Sequence, residues 1–205
     1  MIIIIDYGLG NLGSVKNALD RVGVDSLISN LPKDIENAAG LILPGVGAAG
    51  EGMKNLKARN LIPPLRVVIK QGKPLLGICL GMQLLMTKSE EDTVDCLNLL
   101  EGDVKKFVTK LKVPQIGWNT VTSAKSKLMN GISQSSYFYF VHSYYCVPES
   151  KEMCRATTNY SAPFCSIVQK KNIFGVQFHP EKSGENGLQL LKNFETIVYE
   201  NNTSN

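Results

Sequence analysis

The chain has 205 residues, of which 43% are hydrophobic and 20% charged; that excludes intrinsic disorder and gives ample length for one folded domain with a full core. A net charge of +4 comes from scattered Lys and Arg, with the densest run, Lys105 to Lys112, alternating with apolar residues like a solvated strand face, so nothing points to nucleic acid. The apolar start Met1–Ile5 is too short for a signal peptide, no run is long enough to span a membrane, and five cysteines without CxxC spacing beside two histidines suit neither a disulfide framework nor a structural zinc, so a cytoplasmic protein with no metal or cofactor is expected.

The elements alternate through the first half. Ile2–Ile5 reads as a strand buried on both faces. The Gly-rich turn Asp6–Gly10 follows, and Asn11 can cap a helix with apolar Leu12, Val15, Ala18, Leu19 and Val22, which Gly23 stops. Val24–Ile28 and Leu41–Leu43 read as strands. Met53 to Lys70 is mostly helical, with Pro63-Pro64 expected to force a break. Leu75–Ile78 is a fourth buried strand, running into Cys79 and a helix with Leu80, Gln83, Leu84 and Leu85. Beyond it come strands at Val104–Val108, Tyr137–Tyr145, Phe164–Gln169 and Ile173–Phe178, and a last helix from about Gly187 to Tyr199. We read α/β, with a central, largely parallel sheet flanked by helices. One domain over 1–200 and a frayed polar tail over 201–205 are expected. In such sheets the site lies beyond the C-terminal strand ends, where Asp6–Asn11, Pro44–Gly47 and Cys79 fall.

The sharpest motif is Gly77-Ile78-Cys79-Leu80-Gly81, an apolar strand entering and a helix leaving. It has the form of a nucleophile elbow with Cys in place of Ser. A helix start favours the thiolate; taken alone, the competing reading is a buried structural cysteine. A nucleophile needs a base, either His142 or His179. His179 lies in Phe178-His179-Pro180-Glu181. Side chains two apart on an extended segment share a side, so Glu181 can orient His179 toward Cys79. Pro44-Gly45-Val46-Gly47 after the third strand is a candidate oxyanion loop through Val46 and Gly47, with the Leu80 N–H as the second donor. Gly8-Leu9-Gly10 lacks the full dinucleotide fingerprint.

Together these segments resemble the class I (triad) glutamine amidotransferases over nearly the whole chain, through Gly-x-Cys-x-Gly and His-Pro-Glu. Further stretches resemble one branch of that family, the glutaminase subunits of imidazole glycerol phosphate synthase. They are Asp6–Ser14, Pro44–Gly47 leading to Gly50–Met53, Gly81–Leu85, Gly117-Trp118-Asn119, Tyr139–Tyr144 and His179–Ser183. Gln115, where His is expected, and Ala48-Ala49, where a larger residue is expected, depart from it.

The resemblance implies a single-domain class I amidotransferase-like fold and a γ-glutamyl thioester on Cys79. It implies that Gln83, Gly47, Ser143 and Tyr144 hold glutamine. Glu91 would meet the α-ammonium group, or else is a solvated charge in Ser89–Asp92. It implies no cofactor, and a heterodimer with a (β/α)8-barrel cyclase subunit that uses the ammonia in histidine biosynthesis. Asn11, Trp118, Tyr139 and Lys182 would face that cyclase. Competing readings are a glutaminase subunit for pyridoxal phosphate, anthranilate or purine synthesis, and a non-catalytic binding module.

Overall fold

The computed structural model describes residues 1–123 and 126–203. In chain order it holds β1 (Ile2–Ile5), α1 (Leu12–Arg21), β2 (Ser26–Ser29), α2 (Pro32–Asn37), β3 (Gly40–Leu43), α3 (Ala49–Ala58), α4 (Ile62–Lys70), β4 (Leu75–Ile78) and α5 (Leu80–Leu84). Then come β5 (Lys88–Ser89), β6 (Val94–Asp95), β7 (Gly102–Lys106), β8 (Gln115–Ser123), β9 (Ser136–His142), β10 (Tyr144–Pro148), β11 (Cys154–Tyr160), β12 (Ala162–Lys170), β13 (Ile173–Val176) and α6 (Gly184–Thr203).

The strands form one sheet in the order β2-β1-β3-β4-β13-β12-β10-β7-β5-β6, with β11, β8 and β9 branching from β12. Its centre, β2-β1-β3-β4-β13, is parallel throughout. Beyond β13 the pairings β13-β12-β10-β7 are antiparallel. Within the parallel centre β1, β3, β4 and β13 are buried on both faces, as helix-covered strands must be, while the edge strand β2 exposes Leu27. Ile3, Ile5, Leu41, Leu43 and Leu75 face one core with α2 to α5, while Ile2, Ile4, Ile42, Leu76 and Ile78 face the other with α1 and α6. Each such side chain contributes about 1.5–3 kcal/mol relative to exposure, which makes the centre of the sheet a stiff platform for the loops at its ends.

Some elements differ from the sequence reading. Pro63 and Pro64 do not break a helix; they begin α4, where a missing N–H costs no intrahelical bond. The break lies before them, at Asn60 with φ +53°. The expected strand 137–145 is two strands parted at Ser143, and the strand after Gly102 ends at Lys106, so Lys110 and Lys112 lie in an exposed loop. The last helix continues to Thr203, through the first three positions of the expected tail, with Asn202 Nδ2 donating to Val198 O at 2.7 Å. Residues 204–205 lie outside the described residues.

Candidate active site

β4 and β13 run side by side in parallel register, with Ile78 opposite Val176. Both strands end on the same edge, so the next residues, Cys79 and Gln177, emerge as neighbours and His179 follows two positions on. The Cys79 N–H donates to Val176 O at 2.8 Å. Cys79 has φ +52° and ψ −107° at the start of α5, a conformation L-residues rarely adopt. The flanking glycines are needed for space: a Cβ on Gly81 would overlap the Leu43 carbonyl oxygen, and one on Gly77 would lie 2.8 Å from the Gly81 carbonyl. The strand–helix elbow read from the sequence is thus formed, with its cysteine raised beyond the sheet.

His179 and Glu181, both buried, pair through Nδ1–H to Oε1 at 2.8 Å. Burial disfavours the imidazolium, but the Cys79 sulfur and the Glu181 carboxylate outweigh it and raise His179 to about 10. His179 Nε2, also buried, makes no hydrogen bond within the described residues other than its approach to Cys79. The imidazole thus stands between the sulfur and a carboxylate, the arrangement of nucleophile, base and orienter.

His142 is in a different state. Burial holds it down at about 4, despite its bond to the Tyr144 carbonyl. Nδ1 lies 2.7 Å from Tyr144 O, and Nε2 lies 3.1 Å from Gln115 Oε1, an amide end that exchanges with the NH2 end when the group is turned over. A neutral imidazole has one N–H, and a carbonyl only accepts, so Nδ1 donates to Tyr144 and Nε2 accepts from the Gln115 amide group. The atypical Gln115 is thereby placed: it holds a neutral His142.

A pocket of about 300 Å³ opens over Cys79, the size of a small-molecule site. Val46, Gly47, Leu80, Gln83, Glu91, Ser143 and Tyr144 all line it, so the proposed oxyanion and substrate residues converge. Glu91 is no freely solvated charge. Its Oε2 accepts the Ala49 N–H at 2.9 Å, and Asp92 Oδ2 accepts Gly50 N–H at 3.1 Å, both at the N-terminus of α3. Burial raises the Glu91 carboxyl, the Ala49 N–H opposes this, and Asp92 adds to it. Behind the loop, Gly45 packs so closely on the Tyr7 hydroxyl and Leu80 that a Cβ would overlap the first and lie 2.9 Å from the Cβ of the second. Gly47 has φ +106°.

The proposed partner residues lie on β8, β9, the turn after β13 and the start of α1. Trp118 and Tyr139 face each other across β8–β9, ring centroids 6.1 Å apart, and Lys182 Nζ lies 5.8 Å from the Tyr139 ring centre. Asn11 sits at the start of α1, where its side chain accepts the Ser14 N–H at 3.3 Å. Sequence reasoning missed Gln177, Pro114 and Val141 and used His142 only as a rival base. Gln177 was findable: counting both strands to their ends sets it beside Cys79.

The fold thus brings a cysteine, a histidine and a carboxylate together beyond the ends of β4 and β13. Residues 3–197 match the class-I glutamine amidotransferase family. Solved structures share the fold, among them a glutamine amidotransferase (TM-score 0.78, 18% identity, 97% of this chain and 100% of that one). PurLQS from Thermotoga maritima is as similar (TM-score 0.78, 17% identity, 96% and 98%). The imidazole glycerol phosphate synthase subunit HisH of Moorella thermoacetica is 50% identical, covering 96% of this chain and 95% of the relative. HisH 2 of Methanococcus maripaludis is 49% identical, covering 95% and 98%. The chain belongs to the class-I glutamine amidotransferases, in the HisH branch of imidazole glycerol phosphate synthase subunits.

Proposed function

We propose that the chain hydrolyses glutamine to glutamate and ammonia, and hands the ammonia to a (β/α)8-barrel cyclase subunit that makes imidazole glycerol phosphate and aminoimidazole carboxamide ribotide in histidine biosynthesis. The Cys79 sulfur attacks the side-chain amide carbon, and the negative charge on its oxygen is met by the Leu80 N–H and an N–H of the Val46–Gly47 loop. The His179 imidazolium gives its proton to the departing nitrogen, so ammonia leaves and a γ-glutamyl thioester remains on Cys79. Neutral His179 then takes a proton from water as the water attacks the thioester, releasing glutamate and regenerating the pair. Glu181 holds the ring in the useful tautomer. Gly47, Gln83, Ser143 and Tyr144 bind the substrate, and the Glu91 carboxylate meets its α-ammonium group. Five free thiols suit the reducing cytoplasm in which we place this reaction.

The observation that carries the reading is one pocket uniting Cys79 at its elbow with the glutamine-binding candidates. A glutamine-mimicking electrophile such as a chloroketone should label Cys79, and Cys79→Ala should abolish glutaminase activity measured with the cyclase present, with an unchanged circular-dichroism spectrum. A labelled peptide carrying Cys146 or Cys165 instead would refute the assignment.

A further inference from the structure

Gln177 is buried, and its amide reaches the nucleophile: Nε2 lies 3.7 Å from Cys79 Sγ. Which end of an amide faces a neighbour is normally ambiguous. Here a chain of bonds fixes it. Gln83 Nε2 lies 3.0 Å from the Tyr144 carbonyl oxygen, which can only accept, so the Gln83 NH2 group is the end that faces it. The second hydrogen of that NH2 group goes to Gln177 Oε1 at 3.1 Å. With its oxygen committed, Gln177 presents its NH2 group to the sulfur. The Tyr144 carbonyl also takes the Nδ1–H of His142 at 2.7 Å, which anchors the start of the chain in neutral, buried surroundings.

The strand register reinforces this placement. Gln177 N–H donates to Ser166 O at 3.0 Å while Cys79 N–H donates to Val176 O at 2.8 Å. The side chain is thus delivered to the sulfur by main-chain bonds on two adjacent strands, and no rotation of a loop is needed to bring it there.

We propose that Gln177 is a catalytic hydrogen-bond donor to Cys79, stabilising the sulfur as a thiolate both before attack and as the leaving group of the thioester. The thiol form has a separate outlet, since Cys79 Sγ lies 3.9 Å from the Val141 carbonyl oxygen and can donate there. An N–H pointed at sulfur rewards the anion and gives the thiol little, because sulfur is a weak acceptor when neutral. The same donor acts again when thioester hydrolysis expels the sulfur as an anion. The chain also constrains Gln83: with both amide hydrogens committed, it offers the substrate only its oxygen.

This inference rests on Cys79 being the nucleophile. The other titratable groups around the sulfur are His179 with Glu181, Tyr7 from the segment after β1 and Cys146 from β10, with Glu91, His142 and Tyr144 lining the same pocket. Burial pushes Tyr7 and Cys146 upward, so both stay neutral, and none of these groups changes in the test. The pH dependence of iodoacetamide alkylation of Cys79 is measured by peptide mass spectrometry in the full chain, for the wild type, Gln177→Met and Gln177→Glu. Met fills a similar volume without a donor. Glu keeps the acceptor for Gln83 but turns an oxygen toward the sulfur. The alkylation midpoint should rise by about one pH unit in the Met variant and further in the Glu variant. In the complex with the cyclase, kcat for glutamine should fall about tenfold or more with KM within about twofold. A purely structural role would instead lower Tm and raise KM by displacing Gln83. Equal midpoints in all three proteins, or a changed KM with unchanged kcat, would overturn the donor role alone. Alkylation of another cysteine in the wild type would overturn the nucleophile assignment, and this role with it.

Discussion

The two histidines of the chain illustrate how environment divides labour between identical side chains. His179 is raised to about 10 by the Cys79 sulfur and the Glu181 carboxylate against its burial; His142 is held down at about 4 by burial, and the His179 charge adds to that. Only the first is placed to exchange protons with a substrate over Cys79. His179→Ala should lower kcat by about a thousandfold or more, whereas His142→Asn should cost less, through loosening of the Ser143–Tyr144 turn. Steady-state rates of both variants with the cyclase present check the order, and the reverse order would reject His179 as the base. His142 also makes a prediction about stability. Its value falls from the ordinary 6.5 to about 4 on folding, so the unfolded chain binds the proton more readily. The stabilisation is complete above pH 6.5 and is lost as pH falls toward 4, amounting to about 3 kcal/mol at most. Urea unfolding at pH 7 and pH 4.5 should therefore show a smaller loss for His142→Asn than for the wild type.

At the scale of elements, the parallel centre of the fold was legible because its signal is local. Four-residue apolar runs such as Ile2–Ile5 and Leu75–Ile78 need no partner to be recognised. The elbow was legible for the same reason, since Gly77 and Gly81 answer to contacts within a few residues of Cys79 and the adjoining β3. The antiparallel half was harder to read. β8 and β11 are half-exposed and rich in Thr, Asn and Ser, so pairing across the sheet, not apolar content, makes them strands. Helix α2 was missed because six residues with one buried side chain, Ile35, leave no periodicity to detect. At the site, Cys79, His179 and Glu181 stood within two short motifs, but Gln177 acts through a neighbouring strand, and the role of Gln115 depends on β8 lying opposite β9 with Gln115 across from His142. The loop between β3 and α3 joins these levels. A Cβ on Gly10 would lie 3.4 Å from the Gly45 Cα, so the segment that leads to Asn11 presses directly on the candidate oxyanion loop. Glycine-flanked peptides there can rotate at low steric cost, which would turn an N–H or a carbonyl toward the substrate.

For the whole molecule, one exposed face carries an aromatic pair beside a cation. Trp118 is 55% exposed and Tyr137 and Ile116 are each 58% exposed, all on the β8–β9 pair, whose Tyr139 lies under Lys182. Partner-binding energy concentrates in residues such as Trp and Tyr. Trp118→Ala should weaken binding to the cyclase about tenfold or more, and Lys182→Ala should reduce cyclase-stimulated glutamine hydrolysis, both with Tm unchanged. Titration of the labelled cyclase and coupled glutamate assays measure the two effects. The chain alone should turn over glutamine slowly, and full activity without a partner would end the idea of control by docking.

Tyr139 ties that face to the base of the site. Its carbonyl accepts the His179 N–H at 2.9 Å, and its own N–H donates to Ser183 Oγ at 3.0 Å, while Ser183 Oγ donates to the His179 carbonyl at 2.6 Å. The outer strand and the main chain of the base are thus clasped as one rigid piece. A clasp of this kind carries information both ways, and thermodynamics fixes the exchange rate: whatever factor docking adds to the pocket's affinity for glutamine, glutamine adds to the affinity for the partner. If docking of the proposed cyclase tightens glutamine binding, an occupied pocket will in turn be felt on the outside of the protein, and the two subunits will hold each other longest when there is ammonia to deliver.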